Sequence, residues 1–208
     1  MKCVVISDTH GMYSDVEIPP GDVFIHAGDI LGRGELSELV DFNNWLSTLP
    51  HKHKIVIAGN HDWCFERNEE ESRSRLTNAI YLKDESVEVD GVKFYGSPWQ
   101  PFFFNWAFNL ERGMALKEKW DLIPDNIDIL ITHGPALGIL DQVVDGSHVG
   151  CEELFKAIGR VKPKYHIFGH IHEGYGSKTL AGCTHINAST TTERYIPSNK
   201  PITFVIEK

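Results

Sequence analysis

Residues 2–11 read KCVVISDTHG, a short apolar run that breaks into a polar turn carrying an aspartate and a histidine. The run is too short for a typical helix. Its Val and Ile content, bounded by a Gly turn, predicts a strand buried on both faces. The pattern recurs along the chain. Residues 22–26 (DVFIH) run into Ala27-Gly28-Asp29, and 54–58 (KIVIA) into Gly59-Asn60-His61-Asp62. Residues 127–132 (IDILIT) run into His133-Gly134, and 165–168 (YHIF) into Gly169-His170-Ile171-His172. Helical segments fit between these strands: Leu36, Leu39, Val40 and Leu46 form an apolar stripe in 35–47, and 110–120 and 152–158 are shorter candidates. Alternating Val87, Val89, Val92 and Phe94 around Asp90-Gly91 predict a hairpin within 79–97, and 202–206 predicts a last strand. The expectation is a layered α/β protein with some antiparallel pairing. No low-complexity linker or fixed-period repeat interrupts it, so 1–208 reads as a single domain.

Composition narrows the function classes. The chain has 208 residues, 41% of them hydrophobic, enough for a sizeable core. A net charge of -9 argues against a broad, salt-dependent surface for nucleic acid or anionic membrane, but leaves room for a local cation or phosphate site. No apolar stretch approaches the roughly 18 residues of a membrane span. Cys3, Cys64, Cys151 and Cys183 are scattered, and no signal-peptide pattern opens the chain; the expectation is a cytoplasmic protein with reduced, buried thiols.

The chemistry collects where the strands end. Asp8, His10, Asp29, Asn60, His133, His170 and His172 all follow apolar runs, and such positions converge in a crevice although they are distant in sequence. In an extended segment Asp8 and His10 would share a side of the chain, as would His170 and His172, with Ile171 pointing the other way into the core. A structural zinc needs four ligands, usually including Cys, and the cysteines here are not grouped with the histidines. Seven N/O donors suit two first-row divalent ions. Asp29 is the natural bridge between them, and a shared hydroxide would act as nucleophile on phosphorus. His61 offers a proton for the leaving oxygen, with Asp62 orienting it or capping the next turn. No motif for a Ser or Cys nucleophile, P-loop or dinucleotide fold competes with this reading.

Taken in order, Asp8-x-His10, Gly28-Asp29, Gly59-Asn60-His61-Asp62, His133-Gly134 and Gly169-His170-x-His172 resemble the motif set of the calcineurin-like metallophosphoesterase superfamily. Ser97-Pro98-Trp99-Gln100-Pro101, Asn109-Leu110-x-Arg112-Gly113 and His172-Glu173-Gly174-Tyr175-Gly176 are similar to local signatures of its small branch of metallophosphoesterase-domain-containing proteins. The resemblance implies a four-layer α/β/β/α sandwich with two mixed sheets. It implies one ion on Asp8, His10, Asp29 and His172 and a second on Asp29, Asn60, His133 and His170. His61 would stand outside the metal shell, against the phosphate. The implied activity is hydrolysis of small phosphodiesters, cyclic nucleotides among them. Manganese is the favoured ion, with iron, zinc, cobalt, nickel and magnesium compatible. A nuclease, a phosphomonoesterase and a non-catalytic binding scaffold are the alternatives.

Other residues carry weaker expectations. Asn60 and His61 are candidates to bind the substrate phosphate, together with Asn109 and Arg112 of the region that follows the hairpin. His26, Thr132 and His185 are candidate supports of the ligands. His51, His53, His148 and His166 read as surface or strand-edge residues. In the loop 97–109, Trp99, Phe102, Phe103, Phe104, Trp106 and Phe108 read as core filling, although the loop can equally cover the site or form a homodimer contact.

Overall fold

The computed structural model describes residues 1–207. The chain begins β1 (Lys2–Ile6), β2 (Val23–Ala27), α1 (Leu36–Thr48), β3 (His53–Ile57), α2 (Trp63–Arg67), α3 (Glu69–Arg75) and β4 (Ile80–Tyr81). It continues through the hairpin β5 (Glu85–Val89) and β6 (Val92–Ser97), the short strands β7 (Gln100–Pro101) and β8 (Asn109–Leu110), and α4 (Met114–Asp121). The last part is β9 (Ile129–Thr132), α5 (Glu152–Val161), β10 (Tyr165–Phe168), β11 (Gly176–Leu180), β12 (Cys183–Asn187) and β13 (Ile202–Val205).

Two mixed sheets face each other. One has the order β13-β1-β2-β3-β4, parallel except for β13 at its edge. The other has the order β11-β12-β10-β9-β6-β5, with a parallel centre and antiparallel strands β11 and β5 at its edges. Alternation along the strands builds three apolar layers. Val5, Ile25 and Ile57 of one sheet meet Ile131, Ile167 and Ile186 of the other. On the outer face of the first sheet, Val4, Ile6, Phe24 and Val56 pack with Leu39, Phe42 and Leu46 of α1. On the outer face of the second, Leu130 and Phe168 pack with Trp120 of α4 and Leu154 and Ile158 of α5. This is the expected α/β/β/α sandwich. Each fully buried Val, Leu or Ile contributes roughly 1.5–3 kcal/mol, so the central strands form a stiff platform.

Local chemistry explains the boundaries. Helix α1 opens on a capping box between Glu35 and Glu38, and its chain turns extended at Leu49, before Pro50. Its apolar face differs from the expected stripe: Val40 is exposed, and Phe42 is buried with Leu39 and Leu46. Asp90 and Gly91 both take positive φ, as a tight hairpin turn requires. The helix expected over 110–120 starts later, at Met114, because Leu110 is already paired to Pro101 in a short ladder. Helices α2 and α3 and the β11–β12 hairpin were not foreseeable from apolar periodicity. Strand β12 is polar at Thr184, His185 and Asn187, yet it lies in the sheet between β10 and β11. No helix among the described residues is long and apolar enough to cross a membrane.

Candidate metal centre

The ends of β1, β2, β3, β9 and β10 bring all seven expected ligands to one place. Their convergence is not produced by extended chain. Asp8, His10, Asp29 and His170 have φ between 46° and 67°, in the left-handed region, so each strand ends in a sharp turn that throws its side chain into the cleft. Such turns cost of order 1–3 kcal/mol each and persist because the sheets on either side hold them. Ile171, between His170 and His172, is buried as expected.

The glycines of the motifs make room. A Cβ on Gly59 would come within 2.6 Å of the His133 ring and would also meet Asp29; one on Gly28 would come within 2.6 Å of His133 Nδ1. A Cβ on Gly169 would collide with Asp8 and Ser7. Only Gly28 of these three has positive φ, so Gly59 and Gly169 are required by close approach of the ligands.

Three groups of ligand atoms, each within 4.8 Å of one another, overlap at Asp29 and His10: Asp8 with His10 and His172, His10 with Asp29 and His61, and Asp29 with His133 and His170. Asp29 Oδ1 is 3.3 Å from His133 Nε2, and its Oδ2 is 3.9 Å from His10 Nε2. Asn60 Oδ1 lies 2.9 Å from His133 Nε2, and His172 Nε2 lies 3.6 Å from Asp8 Oδ1.

The donor chemistry fits divalent ions. His133 Nδ1 faces the carbonyl of Ala27 at 3.0 Å and His172 Nδ1 that of Thr192 at 2.9 Å. A carbonyl only accepts, so each Nδ1 carries the proton, and in the neutral ring Nε2 turns a lone pair to the centre. This is the tautomer that a metal ligand needs. His10 Nε2 and His172 Nε2 stand 3.4 Å apart, two nitrogens converging on the same space. Asp8 accepts from Ser189 Oγ at 2.8 Å and from the His170 N–H at 3.0 Å, which fixes its carboxylate.

Electrostatics follows from burial and pairing. Burial alone would raise the Asp8 and Asp29 carboxyls, but His172 and His133, respectively, hold them below the usual range. Burial opposes charge on His133 and His172 too; Asp29 beside the first and Asp8 beside the second outweigh it and push both up to about 9. Burial lowers His10 to about 4, against the pull of Asp29 and Asp8. It lowers His170 to about 3, with His133 adding to the effect. The two carboxylates thus favour protons on His133 and His172, and a cation would compete with those protons.

The remaining site candidates divide. The backbone N–H of His61 donates to Asp29 Oδ1 at 2.8 Å, and its ring Nδ1 faces the Gly32 carbonyl at 3.3 Å. The ring stacks on Trp106, with centroids 4.3 Å apart, and meets His10 edge-on. Asp62 neither orients this ring nor caps α2. Its fully buried carboxylate accepts from the backbone N–H groups of Gly59 (2.7 Å), Leu31 (2.9 Å) and Ile30 (3.2 Å), tying the ligand turns after β2 and β3 together. Burial and the nearby Asp29 raise its carboxyl to about 7, against the pull of those amides.

Asn109 is committed to the aromatic loop. It donates to the carbonyls of Phe103 and Phe104 and accepts from Gln100 Nε2. Arg112 donates to the carbonyls of Val149 and Gly150 and to Glu152, so its fork braces the 149–152 segment. Both side chains are thus hydrogen-bonded to the framework.

Other histidines support the ligand turns. Thr9 Oγ1 donates to the Ile30 carbonyl, so His26 Nε2, 2.9 Å away, donates to Thr9 and steadies the loop between Asp8 and His10. His166 is buried, not at the surface. Thr132 Oγ1 donates to the Gly134 carbonyl, so His166 Nε2 donates to Thr132 at 2.8 Å and His185 Nδ1 donates to His166 Nδ1 at 3.2 Å. This one-way chain braces the turn that carries His133. His51 is also buried, against the Pro19 carbonyl, whereas His148 pairs with the buried Asp141 at 2.6 Å.

Two residues near the centre carry no signal of their own in the sequence. Tyr195 lies over His10 and His172, with ring centroids 4.8 Å and 5.3 Å away. Trp106 was one aromatic residue among six in its loop. Of those six, Phe102, Phe103 and Phe104 are exposed, a correction to the core-filling expectation; Phe108 is buried and Trp99 packs beside it.

Comparison with known proteins agrees with the geometry. A crystal structure with 18% identity matches with a TM-score of 0.67 over 89% of each chain. The anchor in the inner membrane complex of Plasmodium matches with a TM-score of 0.51 and 13% identity, over 91% of this chain and 71% of its own. Both likenesses concern the fold. Human metallophosphoesterase domain-containing protein 1 is 48% identical over 97% of this chain and 69% of its own length. A UPF0046 protein of Caenorhabditis elegans is 40% identical over 100% of this chain and 76% of its own. The model of the calcineurin-like phosphoesterase family matches residues 1–174. The chain belongs to the calcineurin-like phosphoesterases and is closely related to the metallophosphoesterase domain-containing proteins.

Proposed function

We propose that this protein is a metal-dependent phosphodiesterase that hydrolyses small phosphodiesters, cyclic nucleotides among them. The observation that carries the reading is the Asp29 carboxylate, with one oxygen toward His133 and the other toward His10, between two sets of donors. We assign Asp8, His10, Asp29 and His172 to one ion and Asp29, Asn60, His133 and His170 to the other, with manganese as the preferred metal. When bound, two such ions neutralise phosphate oxygens and make water a nucleophile near neutral pH.

The chain's own part is positioning and proton supply. Asp8 is fixed by Ser189 and the His170 amide, so the first donor set is held before any ion arrives. Asp62 fixes the two loops that carry Asp29 and Asn60. His61 is the proton donor for the leaving oxygen: in the charged ring Nδ1–H points to Gly32 and Nε2–H is left for the substrate. A diester suits the surroundings better than a monoester, because Arg112 is already held by Val149, Gly150 and Glu152 and adds no free cation for a second phosphate charge. Four free, buried cysteines support residence in a reducing compartment, the cytoplasm.

The test is turnover of bis-p-nitrophenyl phosphate against p-nitrophenyl phosphate, with manganese, magnesium and zinc varied and bound metal measured on the same sample. Preference for the diester with about two metal ions bound per chain supports the reading. Preference for the monoester, or metal without turnover of either, overturns it.

A further inference from the structure

A cavity of about 600 Å³ opens directly onto His170 and His172. Phe102, Phe103, Val143, Val149 and Tyr195 are among its lining residues. The ring of Phe103 approaches the ligand His170 edge-on, with centroids 6.2 Å apart. His61 does not line this cavity. It lies against Trp106, which lines a separate depression with Trp63, Phe104 and Tyr195. Tyr195 and Phe103 border both spaces. If His61 protonates the leaving oxygen, the leaving group departs on the Trp106 side. The cavity beside His170 is then the seat of the ester arm that stays on phosphorus.

The charge of that seat is one-sided. Asp145, Glu173 and Glu193 line it, and Arg112 is the one Lys or Arg among its described lining residues. The Arg112 guanidinium is tied to the Val149 and Gly150 carbonyls and to Glu152. Glu173 accepts from the Val144 N–H, Asp145 from the Ser147 N–H, and Glu193 pairs with the exposed Arg194 beside it at 3.5 Å. An apolar arm gains from the two phenylalanines and two valines, whereas an arm with its own anionic group meets carboxylates and finds no uncommitted donor fork.

We infer that the cavity beside His170 holds the retained arm of the phosphodiester and selects arms that are flat or apolar and carry no negative charge beyond the scissile phosphate. This rests on the hydrolytic reading above. It assigns isolated phosphodiesters as the substrate class, and it excludes chains in which a second phosphate follows the first.

The test uses the manganese-loaded full chain and four esters that all release p-nitrophenolate. Their retained arms are methyl, phenyl, thymidine attached through its 5′ oxygen, and the same thymidine bearing a 3′-phosphate. Phenyl and thymidine arms should give kcat/KM roughly tenfold or more above methyl, from burial of the larger apolar surface. The 3′-phosphate should lower kcat/KM by roughly tenfold or more at 0.05 M salt, and this penalty should shrink at 1 M, where the screening length falls to about 3 Å. Phe103→Ala should reduce the phenyl-to-methyl ratio. The double variant Glu173→Gln/Glu193→Gln should reduce the penalty of the 3′-phosphate.

A 3′-phosphate ester turned over as fast as its parent overturns the inference, as does a penalty that ignores salt, which would report size alone. Failure of all four esters to react would count against the hydrolytic reading instead. Calorimetric binding of phenylphosphonate against methylphosphonate would then still judge the cavity: tighter phenyl binding that is weakened in Phe103→Ala supports it, and equal affinities sink it.

Discussion

Asp8, Asp29 and His133 are at most 2% exposed, while Phe102, Phe103 and Phe104, a short distance away in the same cleft region, are 57%, 50% and 71% exposed. The polar residues are inside and the aromatic ones outside, the reverse of ordinary partitioning. Each inversion has its own cause. The ligand turns bury charge because carboxylates, imidazoles and backbone amides pair with one another there. The loop 97–109 is tied on both sides of its exposed rings: Ser97 and Trp99 donate to Asp84, the Gln100 and Phe102 N–H groups to the Phe108 and Leu110 carbonyls, Ala107 N–H to the Asn60 carbonyl and Phe108 N–H to Glu66 Oε1, and Phe102–Phe104 protrude between these ties. The cluster of metal-type donors lies in the buried strand-end turns, and the exposed rings lie on the loop beside it.

The sharpest way to break this comparison is to disturb the donor cluster at its centre. Asp29→Asn should abolish turnover, with a loss of roughly 10³-fold or more, since the amide cannot serve two ions as a carboxylate does. Metal analysis should give at most about one ion per chain, with circular dichroism unchanged. Two ions retained at full occupancy would show that Asn60, His133 and His170 hold the second site without a bridging carboxylate.

His61 sits where the two regions touch, and its replacement should separate metal binding from proton transfer. His61→Ala should keep its metal and lose roughly 10²–10⁴-fold in turnover, the range for a positioned general acid. The loss should be smaller for a p-nitrophenolate leaving group than for an alkoxide, which needs the proton more. An equal loss on both leaving groups would make His61 a phosphate contact and not the acid.

The division between what could be read ahead and what could not follows the same line. The clustered donors were legible because each lies one to four residues beyond an apolar run, so local pattern and chemistry coincide at Asp8, Asp29, Asn60, His133 and His170. Tyr195 was not, because its edge-on contact with His10 depends on the path of the irregular segment between β12 and β13. The aromatic loop misled for a related reason: hydrophobicity predicts burial only where the chain has neighbours to bury against, and Phe102–Phe104 lie exposed in the connection between β7 and β8. His166 reads from sequence as a surface or strand-edge residue because its partners, Thr132 and His185, come from neighbouring strands. The role of Gly59 and Gly169 was only half legible. A turn was evident, but the need for space appears only when Asp29, His133 and Asp8 are in position.

Gly59→Ala tests that last point with a middle-sized effect. Its methyl would press on Asp29 and His133, and overpacking of this kind costs about 1–3 kcal/mol. At this chain length that corresponds to a fall in Tm of roughly 2–4 °C per kcal/mol, read by thermal melting of the metal-free protein. Metal affinity should fall as well. The same exchange at Gly159, where an added Cβ meets nothing within 4 Å, should raise Tm slightly, because alanine is the better helix former in α5.

The smallest effect belongs to the aromatic loop. Phe104 is the most exposed of the three phenylalanines and does not line the cavity beside His170. Phe104→Ser removes a ring that little else covers, so stability should change by no more than about 0.5 kcal/mol. The backbone carbonyl that Asn109 holds remains, and the loop should keep its path. A change this mild beside the severe loss at Asp29 would confirm that the two inversions are independent. A large loss of stability would mean that the three rings are packed in solution, and the loop would then belong to the framework together with Asn109 and Arg112.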